Sequence, residues 1–471
     1  MSMFEPVLLK TDVLFFVLLS AAACYAWTAA RHEHLRAPWR QVARQPLGMA
    51  AAVVLAVYVL IAFLDSLHFR AAPGAVGESR AVYSRDLNSV FDVLVAPLRD
   101  SVERTYSAPF AAEAYAKEIV ELADGSNSRA YPRLEHGGAH LRDPASERGP
   151  DIAARLIGGI LLGIGMAMVV AALVVSLCAR AAGRAWNATA VRMVRGEAQA
   201  PWRAILGAVL ALALLLGCAI ELAPYYHVFG TDQVGNDVLY QALKSIRTGL
   251  LIGTLTTLVM LPFALVLGLV AGYFGGWVDD AIQYLYTTLS SIPGVLLVAA
   301  SALMLEIYMS RHGDSYASLA ARADLRLLAL CLILGVTAWT GLCRYLRAEA
   351  LKLRSADFIE AARAFGVSDR KILARHILPN IMHIVMISIV LDFSGLVLAE
   401  AVLTYIDIGV DPSMESWGNL INGARLELAR DPVVWWSLGA AFVLMFALVL
   451  AANIFADAVR DAFDPRLRDM E

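Results

Sequence analysis

Several things are missing from this 471-residue chain, and each absence removes a class of function. Its five cysteines, Cys24, Cys178, Cys218, Cys331 and Cys343, all fall inside apolar runs, so neither a disulfide framework nor a CxxC metal site is available and they read as structural thiols. No Gly-Lys dipeptide occurs anywhere, which excludes a GxxxxGK[ST] phosphate loop. No Ser-His-Asp set, HExxH or paired acidic motif lies on a common face, and this removes an intramembrane hydrolase. Charge is scarce too. Only 17% of residues are charged and the net charge is -3, which argues against a nucleic-acid partner.

What the chain has is apolar length. With 59% hydrophobic residues it reads as a polytopic membrane protein. A bilayer core of about 30 Å needs roughly 20 apolar residues per helix. Runs of that length number about nine, near 13–30, 47–65, 153–178, 203–223, 245–272, 279–305, 325–347, 381–403 and 433–457. The first is followed by Arg31 and not by a small-residue cleavage site, so it is expected to be a retained helix. Arginines crowd the 31–46, 179–203 and 344–380 stretches, which the positive-inside rule assigns to the cytoplasm. Nine spans then put the N-terminus outside and the C-terminus inside.

One segment on the outer side is long. Residues 66–152 are expected to form a small extracytoplasmic domain, mostly helical. Leu87, Val90, Phe91, Leu94 and Leu98 have helical spacing, and Pro109 is placed to open a second helix through Phe110, Tyr115, Ile119 and Leu122. His136 and His140 have the i, i+4 spacing of a helical metal site, but Gly137-Gly138 between them favours a solvated loop.

On the inner side, "EAARAFGVSDRKILARHILPN" (360–380) interrupts two apolar runs with six charged residues and a glycine. Phe358, Ile359, Ala361, Ala362 and Phe365 form a short apolar stripe. Gly366 suits a left-handed helix end, and Ser368 is placed to cap a second short helix from Asp369 to about Ile377. The expected product is a helix-turn-helix knuckle with Glu360, Arg363, Asp369, Arg370, Lys371 and Arg375 exposed. Physics alone leaves two readings, an interfacial loop among lipid headgroups and a docking element for a cytosolic partner.

The residues carry a resemblance at this point. Glu360-Ala361-Ala362, Gly366 and the tail ending Leu378-Pro379 resemble the EAA loop of the membrane subunits of ATP-binding-cassette (ABC) importers, and "RHILPN" is the form usual in the peptide and nickel branch. "HVFGTDQVGNDVLYQALKSIRTGLLIG" from His227 is similar to the outer motif of the C-type permeases of that branch, keeping Gly230, Thr231, Asp232, Gly235, Asp237 and Arg247. Asn236 stands where that family usually has Arg, and Tyr240-Gln241 replaces a Ser-Arg pair, so salt bridges made by those arginines are absent or moved. "AGYFGGWVDD" (271–280), "SIPGVLL" (291–297), "YIDIGVDPSMESWGNLI" (405–421, with Trp417, Gly418 and Asn419) and "DAVRDAFDPRLR" (457–468) continue the resemblance in order.

The resemblance implies an all-α polytopic protein with the type I ABC importer transmembrane fold. Residues 201–471 would be a six-helix permease core holding the coupling loop at 355–380, and residues 1–200 an added extension with about three transmembrane helices. It implies a non-catalytic subunit of an ATP-driven importer in the bacterial inner membrane, for short peptides. Its expected partners are a second permease subunit, two cytosolic ATPases seated on the knuckles, and a periplasmic or lipid-anchored solute-binding protein. ATP and Mg would be bound on the ATPases and no cofactor or metal by this chain. Coupling would fall to Glu360, Ala361, Ala362, Arg363, Gly366, Asp369, Arg370, Arg375, Leu378 and Pro379. Nickel or other small solutes stay open as substrates, and an ion-coupled carrier is the alternative class. The ionisable residues within spans are few. Asp392, mid-span, and Glu400, toward the outer end, are the candidates for lining a path, with a structural hydrogen bond to Ser388, Ser394 or a neighbouring helix as the other reading of Asp392.

Overall fold

A computed structural model of the protein describes residues 4–71, 87–121, 127–198, 200–312 and 318–463. The chain opens with strand β1 (Phe4–Val7) and helices α1 (Lys10–Arg31), α2 (Glu33–Val42) and α3 (Pro46–Asp65). Strands β2 (His68–Ala71) and β3 (Asn88–Ser89), short helices α4 (Val90–Leu94) and α5 (Ala96–Arg99), and strands β4 (Glu118–Glu121) and β5 (Asn127–Ala130) come next. The rest is helical: α6 (Pro144–Ala182), α7 (Trp186–Arg195), α8 (Trp202–Leu222), α9 (Val238–Phe274), α10 (Gly276–Ser291), α11 (Gly294–Arg311), α12 (Leu319–Ala338) and α13 (Thr340–Arg354). Then follow α14 (Asp357–Ala364), α15 (Asp369–Ile372), a π-helical turn (Leu373–Ile377), α16 (Leu378–Tyr405), α17 (Trp417–Glu427) and α18 (Trp436–Phe463).

Among the described residues, nine helical segments are long and apolar enough to cross a membrane. One expected run differs in form. The 279–305 stretch is two helices, α10 and α11, because Pro293 cannot donate to the ladder and Ile292 before it takes an extended backbone.

By internal contacts the chain forms two compact units, each drawing on helices from both sides of residue 200. The first comprises Met1–Val7, Ala43–Thr248 and Glu415–Ala451. Its longest helix, α6, starts on an Asp143 cap with Pro144 at the first turn and stops at left-handed Gly183. At 39 residues it is about 58 Å long, well beyond one bilayer core. Gly159 and Gly163 lie against the backbone of α8, so that a Cβ on Gly163 would sit 2.6 Å from the Ala213 carbonyl. Small residues four apart let two helices in lipid approach this closely.

The 66–152 stretch departs from the helical expectation. Among the described residues of this stretch, only α4 and α5 are helical before α6. Antiparallel β1-β2-β3 and β4-β5 pairings and irregular chain take the rest of the described residues. The helix expected from Pro109 does not form: Phe110 takes φ 57°, Glu118–Glu121 pairs with Asn127–Ala130, and Leu122 lies outside the described residues. The start signal at Pro109 is outweighed because backbone donors here bond to another segment, Phe110 N–H to the His227 carbonyl (2.9 Å) and Ala114 N–H to that of Pro132 (2.8 Å).

The second unit comprises Leu8–Val42, Gly249–Met414 and Ala452–Glu471. Its core gathers Met260, Ala264, Tyr273, Trp339, Leu346, Ile359, Ile372 and Ile381 from α9, α13, α14, α15 and α16 and the start of α13. The first helix belongs to this unit. Buried Asp324 on α12 accepts the Lys10 amide (2.8 Å) and the Thr11 hydroxyl, so a core carboxylate satisfies the free N–H groups at the start of α1. At its far end, Trp39 and Val42 of α2 pack on Ala458, Val459 and Ala462 of α18.

Candidate functional site

The knuckle forms as α14, a four-residue turn (365–368) through Gly366 and α15. Gly366 has φ 74° with nothing within 4 Å of where a Cβ would stand, so its requirement is set by the backbone and not by space. Ile359, Ala362, Ile372 and Ile377 are buried and seat both helices on the core. Tyr273, at the end of α9, braces them: its hydroxyl donates to Asp369 (2.6 Å), and the Arg363 guanidinium lies 5.4 Å from its ring centre. Glu360, Arg363, Asp369, Arg370, Lys371 and Arg375 are exposed as expected, Pro379 is exposed too, and Leu378 is half-buried.

Three details differ from the expectation. Of the expected apolar stripe only Ile359 and Ala362 are buried; Phe358 and Ala361 are exposed, and Phe365 stands 88% exposed at the tip. Ser368 occupies the N-cap position without a side-chain capping bond. The second helix does not end at Ile377: it passes through the π-turn into α16, whose first turn accommodates Pro379. The knuckle is thus continuous with a spanning helix.

The 227–247 segment is organised by the stretch before it. Glu103 accepts amide N–H groups from Glu135 (2.8 Å), His136 (2.8 Å) and Gly137 (2.9 Å), and it faces His227 Nε2 at 3.4 Å. The other ring nitrogen of His227 lies 2.8 Å from Asp237. Burial works against the charge on His227, but hydrogen bonds to Asp237 and Glu103 outweigh it and lift its pKa to about 9. Burial likewise opposes ionisation of Glu103, yet the bonds from His227 and the three amides pull it down to about 2.

The remaining motif residues are structural members of the same assembly. Buried Thr231 accepts from the Ser107 amide and donates to the Thr105 carbonyl (2.9 Å). Gly235 has φ 88° and receives the Glu103 amide on its carbonyl, so closely that a Cβ would overlap the Glu103 backbone. Asp232 accepts from the Asn236 amide and from Gln241 (2.7 Å). Buried Arg247 donates to Ser66 (3.2 Å). Trp417 is buried and donates to the Ala242 carbonyl (3.0 Å), Gly418 is buried beside it, and the Asn419 amide is capped by Ser416.

Tyr240 donates to Asp92 (2.8 Å), and Lys244 pairs with the same carboxylate at 2.6 Å. Sequence reasoning singled out neither Glu103 nor Asp92. Each is one acid in an irregular or short helical stretch, and only the fold brings it to its partner.

The two span acids have different surroundings. Glu400 is buried and accepts the Thr404 hydroxyl at 2.9 Å. Asp392 lies midway along α16, half-buried. Neither Ser388 nor Ser394 bonds to it, and Ser394 instead donates to Asn453 (2.9 Å).

Comparison with known proteins accords with this arrangement. The model of the family described as "Binding-protein-dependent transport system inner membrane component" matches residues 264–469, which include the knuckle and α16. The chain is 31% identical over 240 residues to the dipeptide transport system permease protein of Lactococcus lactis, covering 51% of this chain and 64% of that one. It is 32% identical over 244 residues to the oligopeptide transport system permease protein of Mycobacterium bovis, covering 52% and 77%. With the glutathione transport system permease protein of Pectobacterium atrosepticum it shares 31% over 245 residues, covering 51% and 73%. This multi-pass membrane protein belongs to the family of inner membrane permease components of binding-protein-dependent transport systems.

Proposed function

We propose that the chain is the membrane-spanning permease of an ATP-driven importer of short peptides, and that the knuckle couples it to a cytosolic ATPase. The observation that carries the coupling reading is the construction of the knuckle. Charged residues and one bare phenylalanine stand on a seat of buried isoleucines, and the same helix continues without a break into a membrane span. Force applied at the tip would be transmitted along α16 as a rigid body. The peptide substrate is supported by the dipeptide, oligopeptide and glutathione permeases among the relatives.

In this reading a second permease completes the path and two ATPases hold ATP and Mg. A solute-binding protein delivers substrate on the side of the 66–152 segment. The N-terminus lies outside and the C-terminus in the cytoplasm. Residues 201–471 serve as the permease core and 1–200 as an extension. Asp392 lines the path, whereas Glu400 acts inside the helix bundle through Thr404.

A side chain at Gly366 would meet a left-handed backbone cost of about 1–2 kcal/mol. Gly366→Val and Glu360→Lys should each leave the protein inserted but abolish ATPase association and substrate-stimulated ATP hydrolysis in the purified complex. Wild-type transport in both variants would remove the docking assignment.

A further inference from the structure

One face of α16, carrying Leu396, Ala399 and Leu403, forms a wall of a cavity of about 440 Å³. Opposite walls come from the break between α10 and α11, with Ser290 and Gly294, and from the α12–α13 junction, with Thr337 and Thr340. The lining is apolar except for those three hydroxyls, and the volume falls within the range of small-ligand pockets, about 300–1,000 Å³.

Asp392 precedes Leu396, Ala399 and Leu403 by four, seven and eleven residues. At 3.6 residues per turn all four lie on one stripe, with Asp392 one turn nearer the knuckle than the cavity lining. Among the described residues, no hydrogen bond or ion pair reaches its carboxylate. An acid at a span centre costs about 2.5–3.5 kcal/mol on insertion scales and is retained where it meets water, protein or a cation. The lining adds three neutral hydroxyls, of which that of Ser290 accepts from the Arg344 guanidinium (2.7 Å). The hydroxyls can accept and donate hydrogen bonds, but only the carboxylate selects for positive charge.

We propose that Asp392 and this cavity form a substrate subsite, in which the carboxylate takes the ammonium group of the transported molecule and the apolar walls take its side chains. The inference rests on the permease reading above and adds a specificity: the substrate enters with a free cationic amine. Uncharged or amine-blocked solutes lose the contact with Asp392. The hydroxyls of Ser290, Thr337 and Thr340 remain to bond the amide groups of whatever passes.

The test is ATP-dependent uptake by the full transport complex, in proteoliposomes with saturating solute-binding protein, using tri-alanine and N-acetyl-tri-alanine. Asp392→Asn should lower tri-alanine uptake at least tenfold, with the complex purifying in normal yield and composition. Asp392→Glu should restore at least half of it. The preference for the free amine over the acetylated peptide should fall at least fivefold from wild type to Asp392→Asn. Uptake within twofold of wild type in Asp392→Asn, or an unchanged preference, would overturn the subsite. Loss of the second permease from the Asp392→Asn complex would also overturn it, by making Asp392 a contact between helices. If the wild-type complex showed no ATP-dependent uptake of either peptide, the permease reading itself would fall and take the subsite with it. Intact wild-type uptake with an indifferent Asp392 would sink the subsite alone.

Discussion

His227 shows how one residue joins two stretches of chain more than a hundred residues apart. Held between Asp237 and Glu103, it keeps its proton to about pH 9, against an ordinary value of 6.5. A raised pKa means that the folded loop prefers the charged ring. The stabilisation is complete below about pH 6.5 and is lost as the pH rises through 9. Glu103 has the opposite sense. Lowered from 4.5 to about 2, it contributes above 4.5 and is lost only as the pH falls through 2. Raising the pH from 6.5 to 9.5 should therefore lower the hydrogen-exchange protection of the Glu135, His136 and Gly137 amides, which Glu103 holds. In His227→Gln, protection at those amides should be low already and flat across the window. Equal pH dependence in both proteins would mean that the imidazole is not what fixes Glu103.

Among the elements, α14 and α15 separate seating from contact. Ile359 is wholly buried whereas Phe365, six residues on, is almost bare. Truncating Ile359 to Ala removes buried methylene groups and leaves a cavity, at a cost of about 2–4 kcal/mol, so both thermal stability and ATPase association should decline. Phe365→Ala removes nothing from the core. It should leave the unfolding temperature within a degree and still weaken ATPase association about tenfold; unchanged association would exclude the tip from the interface.

These helices were legible in the sequence because their signals are local. Gly366 marks the reversal, Leu378-Pro379 marks a helix start, and the apolar periodicity between them is intact. Residues 101–117 were not legible. Pro109 carries an equally good local signal, but the backbone groups around it bond to the 227–237 loop, and such long-range pairing leaves no periodic trace in sequence. Glu103 and Asp92 escaped notice for the same reason. Asp392 could be singled out because an acid in an apolar run is conspicuous, whereas the cavity beside it depends on five helices at once.

At the scale of the whole molecule, the proposed orientation depends on how many times the chain crosses the membrane, and the division of the 279–305 run puts that count at risk. α10 has 16 residues and spans about 24 Å, short of a 30 Å core. Its first turn is tied to α13 by Asp279, which accepts from Arg347 (2.6 Å), close in sequence to the knuckle. At the far end of α11, Glu306 lies 3.8 Å from Arg326 of α12. α10 and α11 therefore carry the chain from the Arg347 end to the Arg326 end together, as one crossing in two pieces. That keeps the count at nine. In a background lacking the five native cysteines, Lys117→Cys and Ser310→Cys should both react with an impermeant thiol reagent added from outside. Ser368→Cys should react only once the inner face is opened. If α10 and α11 crossed separately, Ser310→Cys would react only once the inner face is opened and Ser368→Cys would react from outside, and the orientation of everything after α11 would have to be reversed.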